Sequence, residues 1–233
     1  MQRYFAINKN LELSKDDYHH IKNVMRMKKG SIIEIVYDET IYECIIDSIS
    51  PVSYTVRKKY EQKSDDIKII SVFALIKEQR LDYLFQKGTE AGIDTFIPVS
   101  FNRSIIKIDD SKKQNKIDRW NKICKEASEQ SFRIKIPEIY NVKSLKDIIK
   151  VEADLKLLLS VNEKTKNIKK VLHNKNNCAT ILIVTGPEGG FDEREEQFLM
   201  DSGFISVSLG NNVLRAETAP VVAASMIKYE FMR

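Results

Sequence analysis

An apolar run at 181–184 ends in Thr185 and then in Gly186, Pro187, Glu188, Gly189 and Gly190. Three glycines and a proline in five residues shape a loop whose backbone bends sharply and lies open to a ligand. A second elaborate loop, "GNNVLRAETAP", follows Leu209. Ligands of open α/β sheets bind beyond the carboxyl ends of strands, and a glycine loop opening a helix supplies free N–H groups and a favourable dipole. Phosphate nevertheless fits poorly. The first loop carries Glu188, no Lys or Ser/Thr follows its glycines as in a P-loop, and it does not spell GxGxxG. It reads as a site for a ligand recognised through backbone groups, without an anionic diphosphate.

The charged residues around these loops divide by position. Asp192, Glu193, Glu195 and Glu196 fall in the first turns of a predicted helix, where negative charge complements the helix dipole, so they read as structural and not as metal ligands. Glu188 and Glu217 lie in the loops themselves, where a carboxylate either serves the site or stabilises the loop by accepting backbone N–H bonds. Arg215 follows Val213 and Leu214 just before the last helix, as a loop-locking donor or a substrate ligand. Thr218 is placed to cap that helix, with Pro220 in its first turn.

Two kinds of segment must position these loops. Residues 1–66 are β-rich: "SIIEIVYD" and "IYECIIDSIS", separated by Glu39 and Thr40, predict a hairpin, and "VSYTVRKKYE" a further strand. Ser14 is set to cap a short helix carrying Ile21, Val24, Met25 and Met27, closed by Gly30. "EQKSDD" reads as a linker. From 67 to 233, apolar strands alternate with helices, which predicts a parallel sheet covered on both faces, an α/β domain. Its long helix shows Ile117, Trp120, Ile123, Cys124 and Ala127 at three-and-four spacing.

Composition narrows the classes. The net charge of +5 lies in residues 67–233, with 27 basic and 22 acidic residues, while 1–66 carries 11 of each. Within 103–135 stand 10 basic and 5 acidic residues, either a phosphate-meeting surface or a solvated lysine-rich face. Cys44, Cys124 and Cys178 are odd in number and far apart, which argues against disulfides or zinc and for a reducing cytoplasm. Three histidines argue against a metal enzyme, no eighteen-residue apolar run predicts a membrane span, and the start lacks the apolar core of a signal peptide.

Four segments in order carry a resemblance: "HHIKNVMRMKKG", "QKGTEAGIDTFIPVSFNRS", "KEASEQSFR", and the late pair "TGPEGGFDEREEQFL" with "LGNNVLRAETAP". Together they resemble the ribosomal RNA small-subunit methyltransferase E family of the SPOUT superfamily. One departure stands out. Where many members have Glu-Gln-Cys-Gly-Arg, this chain has Glu129-Gln130-Ser131-Phe132-Arg133, which argues against a catalytic thiol there.

The resemblance implies a SPOUT-type α/β trefoil-knot methyltransferase domain at 67–233, preceded by a PUA-like RNA-binding β-barrel at 1–66. It implies S-adenosylmethionine (SAM) held by Leu159 and Ser160, by Gly186, Pro187, Glu188, Gly189 and Gly190, and by Leu209, Gly210, Asn211, Val213 and Leu214. On this reading Gly189→Val crowds the cofactor site. The implied reaction is methylation of uridine N3 in 16S rRNA, on naked rRNA or the 30S subunit. Arg103 and Arg215 would stabilise charge spreading to the uracil oxygens, and Glu217 would act as base or orient Arg215. Lys22, Arg26, Lys28, Lys29 and Arg133 would meet RNA, with Arg57, Lys58 and Lys59 as a second basic cluster. A homodimer through the last helix is implied, with no metal and no membrane association. A nucleotide-binding α/β enzyme and a non-catalytic RNA-binding module remain the alternatives.

Overall fold

The computed structural model describes residues 1–62, 67–104, 106, 111, 113–175 and 178–232. Lys63, Ser64, Asp65 and Asp66 of the expected linker lie outside the described residues. The chain forms two compact units: Met1–Ser64 with Lys125–Ile136, and Asp65–Cys124 with Pro137–Arg233. Segment 125–136, within the 67–233 of the sequence reading, thus packs with the first unit.

In the first unit, strands β1 (Gln2–Phe5), β2 (Ile32–Tyr37), β3 (Thr40–Ile49) and β4 (Val52–Glu61) form a four-stranded sheet in that order. The β2–β3 turn is Asp38-Glu39, one residue earlier than the sequence suggests, and both residues have left-handed φ, 47° and 62°. That is the pair of positive φ values a two-residue hairpin turn needs to match strand twist. Helix α1 (Lys15–His19) begins in a capping box, Ser14 accepting from the Asp17 N–H and Asp17 from the Ser14 N–H, and continues as a π-helical turn, His20–Val24. The helix is shorter than its apolar pattern predicted: Ile21 is buried, but Val24 and Met25 face solvent.

A buried ion pair anchors segment 125–136 to this unit. Arg3 Nε and Nη2 donate to Glu34 Oε2 at 2.9 and 2.8 Å, and Arg3 Nη1 donates to the carbonyls of Phe132 and Arg133. Phe132 has φ +58°, which a non-glycine residue rarely adopts. Its ring lies 5.2 Å below the Arg3 guanidinium, a cation–π contact that helps offset the backbone strain. Ile134 joins Phe5, Val36 and Ile41 in a small apolar cluster.

In the second unit six parallel strands run in the order β10-β8-β9-β5-β6-β7. These are β5 (Lys68–Ala74), β6 (Thr95–Val99), β7 (Glu138–Ile139), β8 (Leu155–Leu159), β9 (Thr180–Thr185) and β10 (Ile205–Val207). Both faces are covered, as the near-continuous apolar strands require. Ile70, Val72 and Ala74 face a core shared with α4 (Leu145–Ile148) and α6 (Glu193–Asp201), through Ile148 and Leu199. Against the other face, Phe73 and Phe96 meet Phe85 of α2 (Glu78–Glu90), which stacks on Trp120 of α3 (Lys113–Gln130) at a centroid distance of 5.0 Å. Helix α5 (Ile168–His173) follows β8, and α7 (Thr218–Phe231) closes the chain.

Candidate active site

Strand register brings three loops to one level. Leu159, the last residue of β8, pairs with Thr185, the last of β9, and with Val207, the last of β10. The loops leaving these ends begin with Ser160, Gly186 and Ser208. Between the first and third lies an open cleft, lined among others by Leu159, Ser160, Leu209, Gly210, Asn211, Val213 and Leu214. All seven are residues the sequence assigned to a cofactor. Val161, Lys164, Val207, Ser208, Asn212 and Ala219 complete the wall; Asn212 and Ala219 belong to the late loop motif, while the other four lie outside every motif the sequence offered. Gly186, Pro187, Glu188, Gly189 and Gly190 do not line this cleft.

The cleft has aliphatic sides, amide and hydroxyl groups, and one cation. Lys164 Nζ donates to the Val161 carbonyl at 2.8 Å. The turn beneath it is held by Glu163, whose carboxylate accepts from Thr165 N, Thr165 Oγ1 and Lys166 N. Those backbone hydrogen bonds stabilise the charged form and bring its pKa down to about 2. Gly210 has φ +132°, so a side chain there would strain the cleft wall.

The 186–190 loop serves a different arrangement. A Cβ on Gly186 would come within 3.3 Å of the Phe191 ring, which would have to give by a few tenths of an ångström. At Gly189 a Cβ would meet only the Arg103 side chain, at 3.8 Å, an ordinary contact. Arg103 donates to the Gly189 carbonyl at 3.1 Å, and its own turn is pinned by Asn102 N, which donates to Glu195 Oε1 at 2.7 Å. Glu195 also closes a capping box with Asp192 at the start of α6, and Glu196 accepts from Asn162 Nδ2. These acids hold loops in place, and among the described residues no cluster of His, Cys, Asp or Glu is arranged to hold a metal.

Glu188 and Glu217 each face a guanidinium. Arg80, which the sequence reading passed over, places Nη1 2.9 Å from Glu188 Oε1 and Nε 3.7 Å from Glu217 Oε1. Arg215 Nη1 lies 4.0 Å from the same Glu217 oxygen, and its side chain is 75 % exposed. Glu217 itself is buried, and its Oε2 has no hydrogen-bond partner among the described residues. It occupies the position before α7, whose first turn closes on the Arg215 carbonyl through Thr218 N and Ala219 N. Thr218 is thus inside the helix and is not its cap. The three residues assigned to catalysis, Arg103, Arg215 and Glu217, sit around the 186–190 loop and are linked through Gly189, Glu188 and Arg80.

The basic residues also sort themselves. Much of the positive excess in 103–135 is used internally: Lys116 and Arg119 pair with Glu78, Arg119 also with Asp82, and Lys125 with Asp17 and Glu129. Arg57 and Lys58 share Glu43, and Arg133 donates to the Lys135 carbonyl. Lys22, Arg26, Lys28 and Lys29 are exposed and form no ion pair among the described residues. They surround the exposed Val24 and Met25.

Comparison with known proteins gives this arrangement its family. The RNA methyltransferase domain family matches residues 63–228, and the RNA methyltransferase PUA domain family matches residues 13–59. Ribosomal RNA small subunit methyltransferase E of Bacillus subtilis (strain 168) is 34% identical over 253 residues, covering 99% of this chain and 97% of that protein. The chain belongs to the ribosomal RNA small subunit methyltransferase E family. Its relative of that name from Mesomycoplasma hyopneumoniae (strain 232) is 31% identical and covers 94% of this chain and 92% of that one. A Legionella pneumophila protein solved with the bound cofactor SAM superposes with a TM-score of 0.88 at 27% identity, covering 97% of this chain and 96% of that one. The family member from Neisseria gonorrhoeae, bound to S-adenosyl methionine, has the same fold, with a TM-score of 0.86 at 23% identity and coverage of 98% and 97%. The family therefore joins a PUA domain to an α/β methyltransferase domain in one chain, as this chain does.

Proposed function

We propose that this protein transfers a methyl group from SAM to N3 of a uridine in 16S rRNA of the small ribosomal subunit. The observation that carries the reading is the cleft between the ends of β8 and β10. Its aliphatic walls suit an uncharged adenine, its amide and hydroxyl groups suit the zwitterionic amino-acid end, and it contains no phosphate-binding glycine-lysine motif. Leu159, Ser160 and 209–214 would hold the cofactor, with the 186–190 loop flanking it on the nucleoside side. When bound, SAM supplies an electrophilic methyl on its sulfonium, and the chain must align the acceptor in line with it.

Removing the N3 proton spreads negative charge over the uracil oxygens, which the guanidinium groups of Arg103 and Arg215 would stabilise. Glu217 would orient Arg215. Its Oε1 faces two guanidinium groups, those of Arg80 at 3.7 Å and Arg215 at 4.0 Å. Lys22, Arg26, Lys28 and Lys29, unneutralised by neighbours, would hold the RNA backbone, and work in the cytoplasm follows from the substrate. The rival of a nucleotide-binding enzyme finds no support in the cleft lining. Titration calorimetry checks the assignment: the wild type should bind SAM in preference to ATP and NAD, and Gly210→Val should weaken that binding by at least about tenfold. Equal binding of ATP, or unchanged affinity in the variant, contradicts it.

The reading includes a homodimer through α7. That helix buries Ala219, Ala223, Ala224 and Ile227 in its own unit, while Val222, Ser225, Met226 and Tyr229 lie on a half-buried to exposed stripe at helical spacing. Sedimentation at micromolar concentration should give a dimer; a monomer overturns this part of the reading.

A further inference from the structure

We infer that Arg80 is a positioning residue for methyl transfer, acting through Glu217 and not through the cofactor. The inference rests on the functional reading above. Arg80 stands in the first turn of α2, where a cation opposes the helix dipole, so nothing in the helix itself favours it. Two carboxylates converge on it there: Glu188, from the loop after β9, and Glu217, from the end of the loop after β10. A single guanidinium fork thus ties two site loops to a rigid helix, a role that a point charge cannot fill in the same way.

The consequence falls on Glu217. Its carboxylate is nearly buried, and the only other cation near it among the described residues is Arg215, 4.0 Å away and mostly in solvent. Arg80 is therefore the fixed counter-charge of the pair and Arg215 the mobile one. Without Arg80, the buried carboxylate is left with Arg215 as its counter-charge and draws it inward, so that Arg215 is withdrawn from the substrate. Neither Arg80, Glu188 nor Glu217 lines the cleft, so cofactor affinity is insulated from the change.

A double-mutant cycle on the full-length protein tests this, with single-turnover transfer of labelled methyl from SAM to 30S particles as the readout and calorimetry for SAM affinity. Arg80→Met should slow transfer by about tenfold or more with SAM affinity held within about threefold, and should have less than about a twofold effect in a Glu217→Gln background. Combined with Glu188→Gln, the Arg80→Met loss should remain. Arg80→Lys, which keeps the charge and loses the fork, should fall between wild type and Arg80→Met, and it decides the matter if Arg80→Met does not fold. Wild-type rates in either Arg80 variant, or an Arg80→Met loss of equal size with and without Glu217, overturn the inference. If the wild type itself transfers no methyl to 30S particles, the functional reading has failed instead.

Discussion

Arg215→Ala is expected to slow methyl transfer at saturating SAM by on the order of a hundredfold while leaving cofactor affinity nearly unchanged. The sequence left two roles open for this residue, locking the loop or contacting substrate. The structure separates them by atom. The start of α7 is locked by the Arg215 backbone carbonyl, which accepts from Thr218 N and Ala219 N at 2.9 and 3.0 Å. The guanidinium contributes only a 4.0 Å contact to Glu217 and is otherwise in solvent. Alanine keeps the carbonyl and so keeps the loop; it removes only the mobile charge. Arg215→Lys should recover part of the rate, since charge is retained without the planar fork. A variant with normal rate at saturation and weak cofactor binding would return Arg215 to a loop-locking role.

The largest effect on stability is expected at Glu34. Glu34→Ala should destabilise the first unit by about 3–5 kcal/mol, because it leaves the Arg3 guanidinium buried without its counter-charge. Both side chains are nearly inaccessible, at 3% and 2% relative exposure, so solvent offers no replacement. Tyr60 also loses its partner: its hydroxyl donates to Glu34, and burial followed by that hydrogen bond pushes its pKa up to about 12. The double variant Arg3→Met with Glu34→Leu should be less destabilised than Glu34→Ala, since no charge remains to be desolvated. Urea denaturation followed by circular dichroism measures both. A loss below about 1 kcal/mol for Glu34→Ala would mean that the pair is hydrated or readily replaced.

Much of the scaffold was legible because it is encoded locally. The capping pairs Ser14 with Asp17 and Asp192 with Glu195 lie three residues apart, and the strands of the second unit announce themselves as short β-branched runs. The acidic start of α6 was legible for the same reason, since dipole and capping are properties of one helix turn. What the sequence hid depends on distant partners. Arg80 looked like one more helix cation, because Glu188 lies 108 residues further along the chain. Segment 125–136 joins the first unit through Arg3, 129 residues before Phe132. The basic run at 103–135 read equally as a phosphate surface or a solvated face, because Glu78 and Asp82, which pair with its Lys116 and Arg119, belong to another helix.

Some signals were present and underused. The departure from the family motif at Phe132 left the backbone path there open, and the structure gives it φ +58°. Val24 and Met25 fit a helical apolar pattern, but the helix gives way to a π-turn at His20 and leaves both in solvent. Glycine count drew attention to the 186–190 loop as the cofactor wall. The 209–214 loop, assigned to the cofactor along with it, borders the cleft, and there a single glycine at φ +132° sets the backbone path.

The central claim is tested most directly by incubating the purified protein with methyl-labelled SAM and 30S particles lacking the modification, then digesting the 16S rRNA and locating the label by mass spectrometry. The account predicts stoichiometric transfer to one uridine, with the methyl on N3, and no transfer when ATP or NAD replaces the cofactor. Label on a ribose hydroxyl or another base, or no label with SAM demonstrably bound, would contradict it.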